Sequence, residues 1–116
     1  MFYDSFPNEQ TVTDTNWVQI ASKTGHLNTT ANMIWISLEY TSSATNRTVG
    51  IRVLIDGVEV SFDHYQPTIA GQFHKFCDFG LYNSTEGNHT ISLEGRVVTA
   101  GSTLTVRRIR LAIMQE

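Results

Sequence analysis

From Met33 to Met114 the chain alternates apolar and polar positions with a period of two, the signature of strands with one covered face. In 33–41 Ile34, Ile36, Leu38 and Tyr40 share one parity, and Met33, Trp35, Ser37 and Glu39 share the other. The second set begins apolar and ends polar, so Trp35 needs a cover. Val49, Ile51, Val53 and Ile55 make the next face, opposed by Arg52 and Leu54. Asp56-Gly57 then predicts a two-residue type I′ hairpin turn, which needs positive φ at both central residues. The return strand reads Val58, Val60, Phe62 and His64 inward, with Glu59, Ser61 and Asp63 outside. After a loop around Pro67, Phe73, Lys75, Cys77, Phe79 and Leu81 share one face and Phe76 and Tyr82 the other. Ile91, Leu93, Gly95 and Val97 point in on the following strand, and Thr90, Ser92, Glu94 and Arg96 point out. In the last strand Leu104 and Val106 share one parity, while Ile109, Leu111 and Ile113 share the other. One extra residue in a strand flips every later side chain, so a β-bulge is expected at Arg107-Arg108.

The first half is less regular. Residues 1–16 read as an N-terminal arm, aromatic at Phe2, Tyr3 and Phe6 and then polar. Such an arm can lie along its own sandwich or reach a neighbour. Residues 17–116 form the domain. Trp17–Ser22 reads as a short strand and Lys23–Asn32 as a loop, on the turn signals Thr24-Gly25 and Asn28. No window has helical periodicity. Seven to eight short strands in about a hundred residues predict an all-β, antiparallel, jelly-roll-like β-sandwich without substantial helix. A Cys–Trp–Cys immunoglobulin framework is excluded, since Cys77 is the single cysteine.

A chain of 116 residues is one domain by length and can bury its own core. Its charged residues make up 16%, against about 25% in an ordinary soluble domain. Sparse charge suits a protein that meets other surfaces, because charge is depleted at interface cores. A net charge of −3 argues against general nucleic-acid binding. No stretch is long enough to span a membrane. The start of the chain lacks a positive segment and an apolar run, so it does not read as a signal peptide. A single unpaired cysteine fits synthesis in a cytoplasm. Asn28, Asn46, Asn83 and Asn88 match the N-x-S/T pattern, which would count only in a secreted glycoprotein domain; turn conformation explains them otherwise.

Catalytic chemistry is not legible. There is no G-x-S-x-G and no Cys–His pair with a third member. The carboxylates do not announce a flanked cleft. On a strand the three-residue spacing of His74 and Cys77 sends them to opposite faces, against a shared metal. No enzyme activity, catalytic residue, metal or cofactor is expected, and Cys77 reads as a small core residue. Arg107, Arg108 and Arg110 are three of the eight cationic residues. Arg96 is expected on the neighbouring strand, Arg52 on the same face, and Glu94 as a salt-bridge partner. This cluster can meet partner carboxylates, a sugar acid or phosphate, or it can be a solvated face. Trp17, Trp35, Tyr40, Tyr65 and Tyr82 are candidates for stacking on sugars. Phe2, Tyr3, Phe6, Trp35, Arg96, Arg107, Arg108 and Arg110 are candidates for a protein interface.

The strand Met33-Ile34-Trp35-Ile36-Ser37-Leu38, the segment Val49–Val60 around Asp56-Gly57, and the ending from His89 to Leu111 resemble small jelly-roll structural proteins of tailed-bacteriophage virions. These include capsid decoration (cement) proteins and tail or fibre modules. The likeness is one of texture over most of the chain and carries no signature residue. It implies a non-enzymatic protein of the virion, made in the host cytoplasm. Such a protein would bind the major capsid or tail protein as a homo-oligomer such as a trimer. The alternatives are a fibre adhesin module binding carbohydrate and a secreted glycoprotein domain.

Overall fold

The computed structural model describes every residue except Met1, Pro7, Thr29, Thr30 and Glu116. The side chains of Phe2, Tyr3, Asp4 and Gln115 also lie outside the described part. Among the described residues nine strands follow one another: β1 (Phe2–Phe6), β2 (Gln10–Val12), β3 (Val18–Leu27), β4 (Ala31–Ser42), β5 (Val49–Ile55), β6 (Val58–Tyr65), β7 (His74–Asn83), β8 (Gly87–Val97) and β9 (Leu104–Gln115). Among the described residues there is no helix.

The strands form two antiparallel sheets. One runs β1-β9-β4-β7, with β2 also paired to β9; the other runs β3-β8-β5-β6. β1 and β2 lie end to end along β9, interrupted opposite Arg107 and Arg108. Counted as one strand, they give the eight strands of a jelly roll. Chain neighbours alternate between the sheets except at the β5–β6 hairpin. The segment expected as an arm thus lies along its own sandwich, the first of its two courses.

The core is where alternation placed it. Ile34, Ile36, Leu38 and Tyr40 from β4 meet Val49, Ile51, Val53 and Ile55 from β5 across the sandwich. Ile91, Leu93 and Val97 from β8 and Leu104, Val106, Ile109, Leu111 and Ile113 from β9 complete it. The hairpin turn is the expected one, with φ of 52° at Asp56 and 82° at Gly57 and Ile55 paired to Val58. Gly95 serves close packing. A Cβ there would stand 2.6 Å from the terminal methyls of Ile20 and Leu104, so both side chains would have to shift to admit one.

Two expectations about strands are corrected. Lys23–Asn32 is not a loop, because β3 continues to Leu27 and β4 starts at Ala31. Pairing of Lys23–Leu27 with Gly87–Ile91 of β8 overrides the polar composition. The facing of β6 is also inverted beyond its first residues. A second bulge lies between Val53 and Leu54 of β5 and its partners Ser61 and Glu59, leaving Val60 extra. Beyond it Ser61 and Asp63 turn inward, while Phe62 and His64 face solvent.

That inversion closes one side of the sandwich. β6 and β7 are edge strands, one in each sheet. The Tyr40 hydroxyl donates to Asp63 at 2.6 Å, and the Ser61 hydroxyl donates to Asp78 of β7 at 2.7 Å. Tyr65 stacks on His74 with ring centroids 4.7 Å apart. Burial and the Asp63 carboxylate push the Tyr40 phenol well above its ordinary range, so it remains a donor.

Candidate functional site

The β9 bulge is present at the expected residues. Ser37 of β4 pairs with Arg110 but Glu39 pairs with Arg107, so β9 carries one residue more than β4 between them. Arg108 takes up the excess at φ 54°, a left-handed conformation that a side-chain-bearing residue seldom adopts. The consequence is directional. Arg107 and Arg108, adjacent in sequence, both reach Glu39 on the outer face of the five-stranded sheet. Arg107 Nε donates to Glu39 Oε1 at 2.8 Å, and Arg108 Nη1 lies 3.2 Å from both carboxylate oxygens. The Arg107 guanidinium also covers the Phe73 ring at 3.5 Å. The hydrogen bond from Arg107, against the cost of burial and helped by the charge of Arg108, holds the Glu39 carboxyl below its ordinary range.

Arg110 lies on the same face, opposite Ser37, and Lys75 lies opposite Glu39. Neither makes an ion pair among the described residues, while Glu39 is already shared by two arginines. An open pocket of about 300 Å³ is lined by Ser37, Leu38, Glu39, Lys75, Arg108 and Arg110. Farther along the strands the same face turns apolar. Trp35 is paired with Phe79 and Met33 with Leu81, and Trp35 is a diagonal neighbour of Arg110. Trp35 is 48% exposed, Phe79 66% and Leu81 83%. The face is therefore an uncovered apolar strip running into a cationic pocket.

The expected site residues divide between places. Trp35, Arg107, Arg108 and Arg110 come together here. Arg96 and Arg52 do not; they lie on the outer face of the other sheet, both over the Trp17 ring at 4.6 and 4.5 Å. Glu94 pairs with Arg52 at 2.7 Å rather than with the β9 arginines. Tyr40 is fully buried, and Tyr65 and Tyr82 pack against the core, so none of these three offers an open ring to a sugar. Phe6 also packs against the core. The Phe2 and Tyr3 side chains lie outside the described residues. Cys77 is exposed rather than buried, 3.6 Å from the Ser37 hydroxyl, and His74 faces the other way. Among the described residues no group of three His, Cys, Asp or Glu converges as a metal site would require.

Phe79, Leu81, Lys75 and Glu39 were not anticipated. A signal for the first two existed: they share parity with Lys75, and a face that exposes a lysine also exposes its neighbours.

No family model matches the sequence, and no curated protein matches it. Solved structures are similar in fold. A domain of the insecticidal delta-endotoxin Cry8Ea1 of Bacillus thuringiensis superposes with a TM-score of 0.61 and 12% identity, over 93% of this chain and 20% of the toxin. The CBM36-1 domain of a multidomain xylanase, from the hindgut metagenome of Trinervitermes trinervoides, gives 0.50 and 17%, over 90% of this chain and 97% of that domain. Dimeric latent PorU of Porphyromonas gingivalis gives 0.56 and 11%, over 97% of this chain and 13% of PorU. This chain thus spans only a small part of the toxin and of PorU and nearly the whole of the xylanase module. At these identities the likeness is one of fold: an antiparallel β-sandwich.

Proposed function

We propose that this protein is a non-catalytic binding module that recognises carbohydrate through the outer face of its five-stranded sheet. The observation that carries the reading is the pairing of exposed Trp35 and Phe79 beside a pocket rich in hydrogen-bonding groups. A sugar ring offers an apolar face to an aromatic side chain and hydroxyls to polar neighbours, and this surface presents both. The near-complete overlap with the CBM36-1 domain supports the reading, since that fold carries a module named for carbohydrate binding. Of the rings the sequence suggested, Trp35 stands open here, whereas Tyr40 is buried and Tyr65 and Tyr82 are half-buried against the core; Phe79 is added by the pairing of β7 with β4. A glycan array probed with the intact protein tests the reading. Binding is expected, with at least a tenfold loss in Trp35→Ala. An array with no bound glycan would sink it.

The second reading is a virion structural protein that decorates a capsid or tail, as a homo-oligomer such as a trimer, through this same face. Leu81 and Phe79 favour it. They stand exposed on β7, a free sheet edge, and exposed apolar patches are common at protein interfaces. Here the arginines would meet carboxylates of the partner. A protein inventory of purified particles, wild type against Leu81→Asp, decides: incorporation lost in the variant supports decoration, and absence from the particles removes it.

A further inference from the structure

The pocket and the strip beside it differ in charge from the rest of the molecule. The chain has a net charge of −3, yet Lys75, Arg107, Arg108 and Arg110, four of its eight cations, face this one surface. Among the described residues Glu39 is the one carboxylate that forms an ion pair with any of them, held in its charged form by Arg107 and Arg108. One negative charge against four positive ones leaves the pocket cationic. The surplus resides on Arg110 and Lys75, which flank the pocket and have no anionic partner among the described residues.

Geometry adds to the charge. The bulge holds Arg108 at a strained φ and aims it at the pocket, while Glu39 fixes its guanidinium from one side. Arg110 is a diagonal neighbour of Trp35 on the same face. A ring seated on Trp35 would therefore bring a substituent within reach of Arg110. A neutral sugar would accept hydrogen bonds from these cations but leave their charge uncompensated. A carboxylate on the ring would use them, through charge-assisted hydrogen bonds stronger than those between neutral groups.

We infer that the ligand is an acidic glycan: a carboxylate-bearing sugar with its ring over Trp35 and its carboxylate in the pocket of Arg108, Arg110 and Lys75. Arg107 does not take part directly, being held by Glu39 and Phe73. The inference rests on the carbohydrate reading above and narrows it to one chemical class.

The test uses the intact protein in calorimetric titrations with tetragalacturonic acid, sialyllactose, their methyl esters and neutral lactose, together with inorganic phosphate. At least one acidic saccharide is expected to bind at least tenfold tighter than its own ester, with affinity falling as salt rises. Arg110→Gln with Lys75→Gln should remove that preference, and circular dichroism should show the sandwich intact, since both side chains are solvent-facing. Ester or neutral sugar binding as tight as the acid, and lost in Trp35→Ala, would overturn the acidic class and leave the carbohydrate reading standing. Phosphate binding as tight as the saccharide would overturn the inference as well, because the ring would then add nothing. No binding of any saccharide would overturn both.

Discussion

On the outer face of the four-stranded sheet, the guanidiniums of Arg52 and Arg96 both contact the Trp17 ring, which meets Phe62 edge-on at 6.4 Å. Arg52 is further bound to Glu94 at 2.7 Å and lies 3.8 Å from Glu59. Thr24 and Thr90 share a hydrogen bond across β3 and β8, and so do His26 and Asn88. On the outer face of the five-stranded sheet, Trp35, Phe79 and Leu81 stand open, and Arg110 and Lys75 have no carboxylate among the described residues. The two faces draw on the same residue types: a tryptophan, a phenylalanine and several arginines. The first covers its tryptophan with two guanidiniums and ties Arg52 to carboxylates, although Phe62 stays 46% exposed and Arg96 Nε lacks a hydrogen-bond partner among the described residues; the second ties Arg107 and Arg108 to Glu39 but leaves its rings, Arg110 and Lys75 facing outward. The difference teaches that residue type does not mark a binding surface; the surplus of unpaired groups does.

The largest expected effect comes from breaking the satisfied face. Trp17→Ala removes two cation–π contacts and the burial of a large ring, and should cost about 2–3 kcal/mol of stability. Trp35→Ala, on the open face, should change stability by no more than about 0.5 kcal/mol. Urea denaturation of both variants checks the contrast; equal losses would show that Trp35 is structural too.

Next is the pin that ties the β5–β6 turn to β8. His89 Nδ1 faces the Asp56 carboxylate at 2.5 Å, and its Nε2 faces the Thr85 carbonyl at 2.6 Å. Both partners are acceptors, so the imidazolium form, in which both ring nitrogens donate, is the one that satisfies both contacts. The Asp56 hydrogen bond first, then the Thr85 carbonyl, raise the His89 pKa against the cost of burial. This stabilisation is complete below the ordinary histidine pKa of about 6.5 and is lost as pH rises through the raised folded value. Asp56 works in the other direction. Burial opposes its charge, but the Thr90 N–H and His89 outweigh it and lower its pKa. Its share is complete above the ordinary aspartate range and is lost as pH falls through the lowered folded value. Thermal melts should therefore show lower stability at pH 9 than at pH 6. His89→Gln should lower stability by about 1–2 kcal/mol at pH 6 and flatten that slope. An unchanged slope in the variant would assign the pH dependence to other groups.

The smallest effect sharpens the comparison from the open side. Arg108→Gly relieves a left-handed backbone but gives up an exposed contact to Glu39. These terms nearly offset, so stability should stay level or rise by up to about 1 kcal/mol. Affinity for the ligand should fall. A clear loss of stability would place Arg108 with the structural arginines of the other face.

Much of this was legible in advance, for reasons that are local. Period-two alternation is a property of the strand itself, so the core residues of β4, β5, β8 and β9 could be named from their spacing. The Asp56-Gly57 turn follows from the φ values those residues tolerate. The bulge at Arg107-Arg108 showed because apolar residues flank it closely enough for the parity switch to register. The second bulge, at Val60, left no such trace. Val58, Phe62 and the residues between them stay plausible on either parity, and only the register with β5 turns Ser61 and Asp63 inward. Lys23–Leu27 has little strand character of its own and becomes a strand by pairing with β8.

The candidate site was legible in part. Trp35 and the three β9 arginines stood out by type and position. Their companions did not, because membership of a face depends on which strands are neighbours. Lys75 and Phe79 belong to the site since β7 pairs with β4, and Arg96 does not since β8 lies in the other sheet. The sequence by itself determined β4 to β9 as strands, the inward residues of β4, β5, β8 and β9 and the bulge that aims the arginines, all of which follow from backbone geometry over a few residues. Only the tertiary structure decided which charges found partners, because pairing across strands and between sheets depends on contacts between residues far apart in the chain.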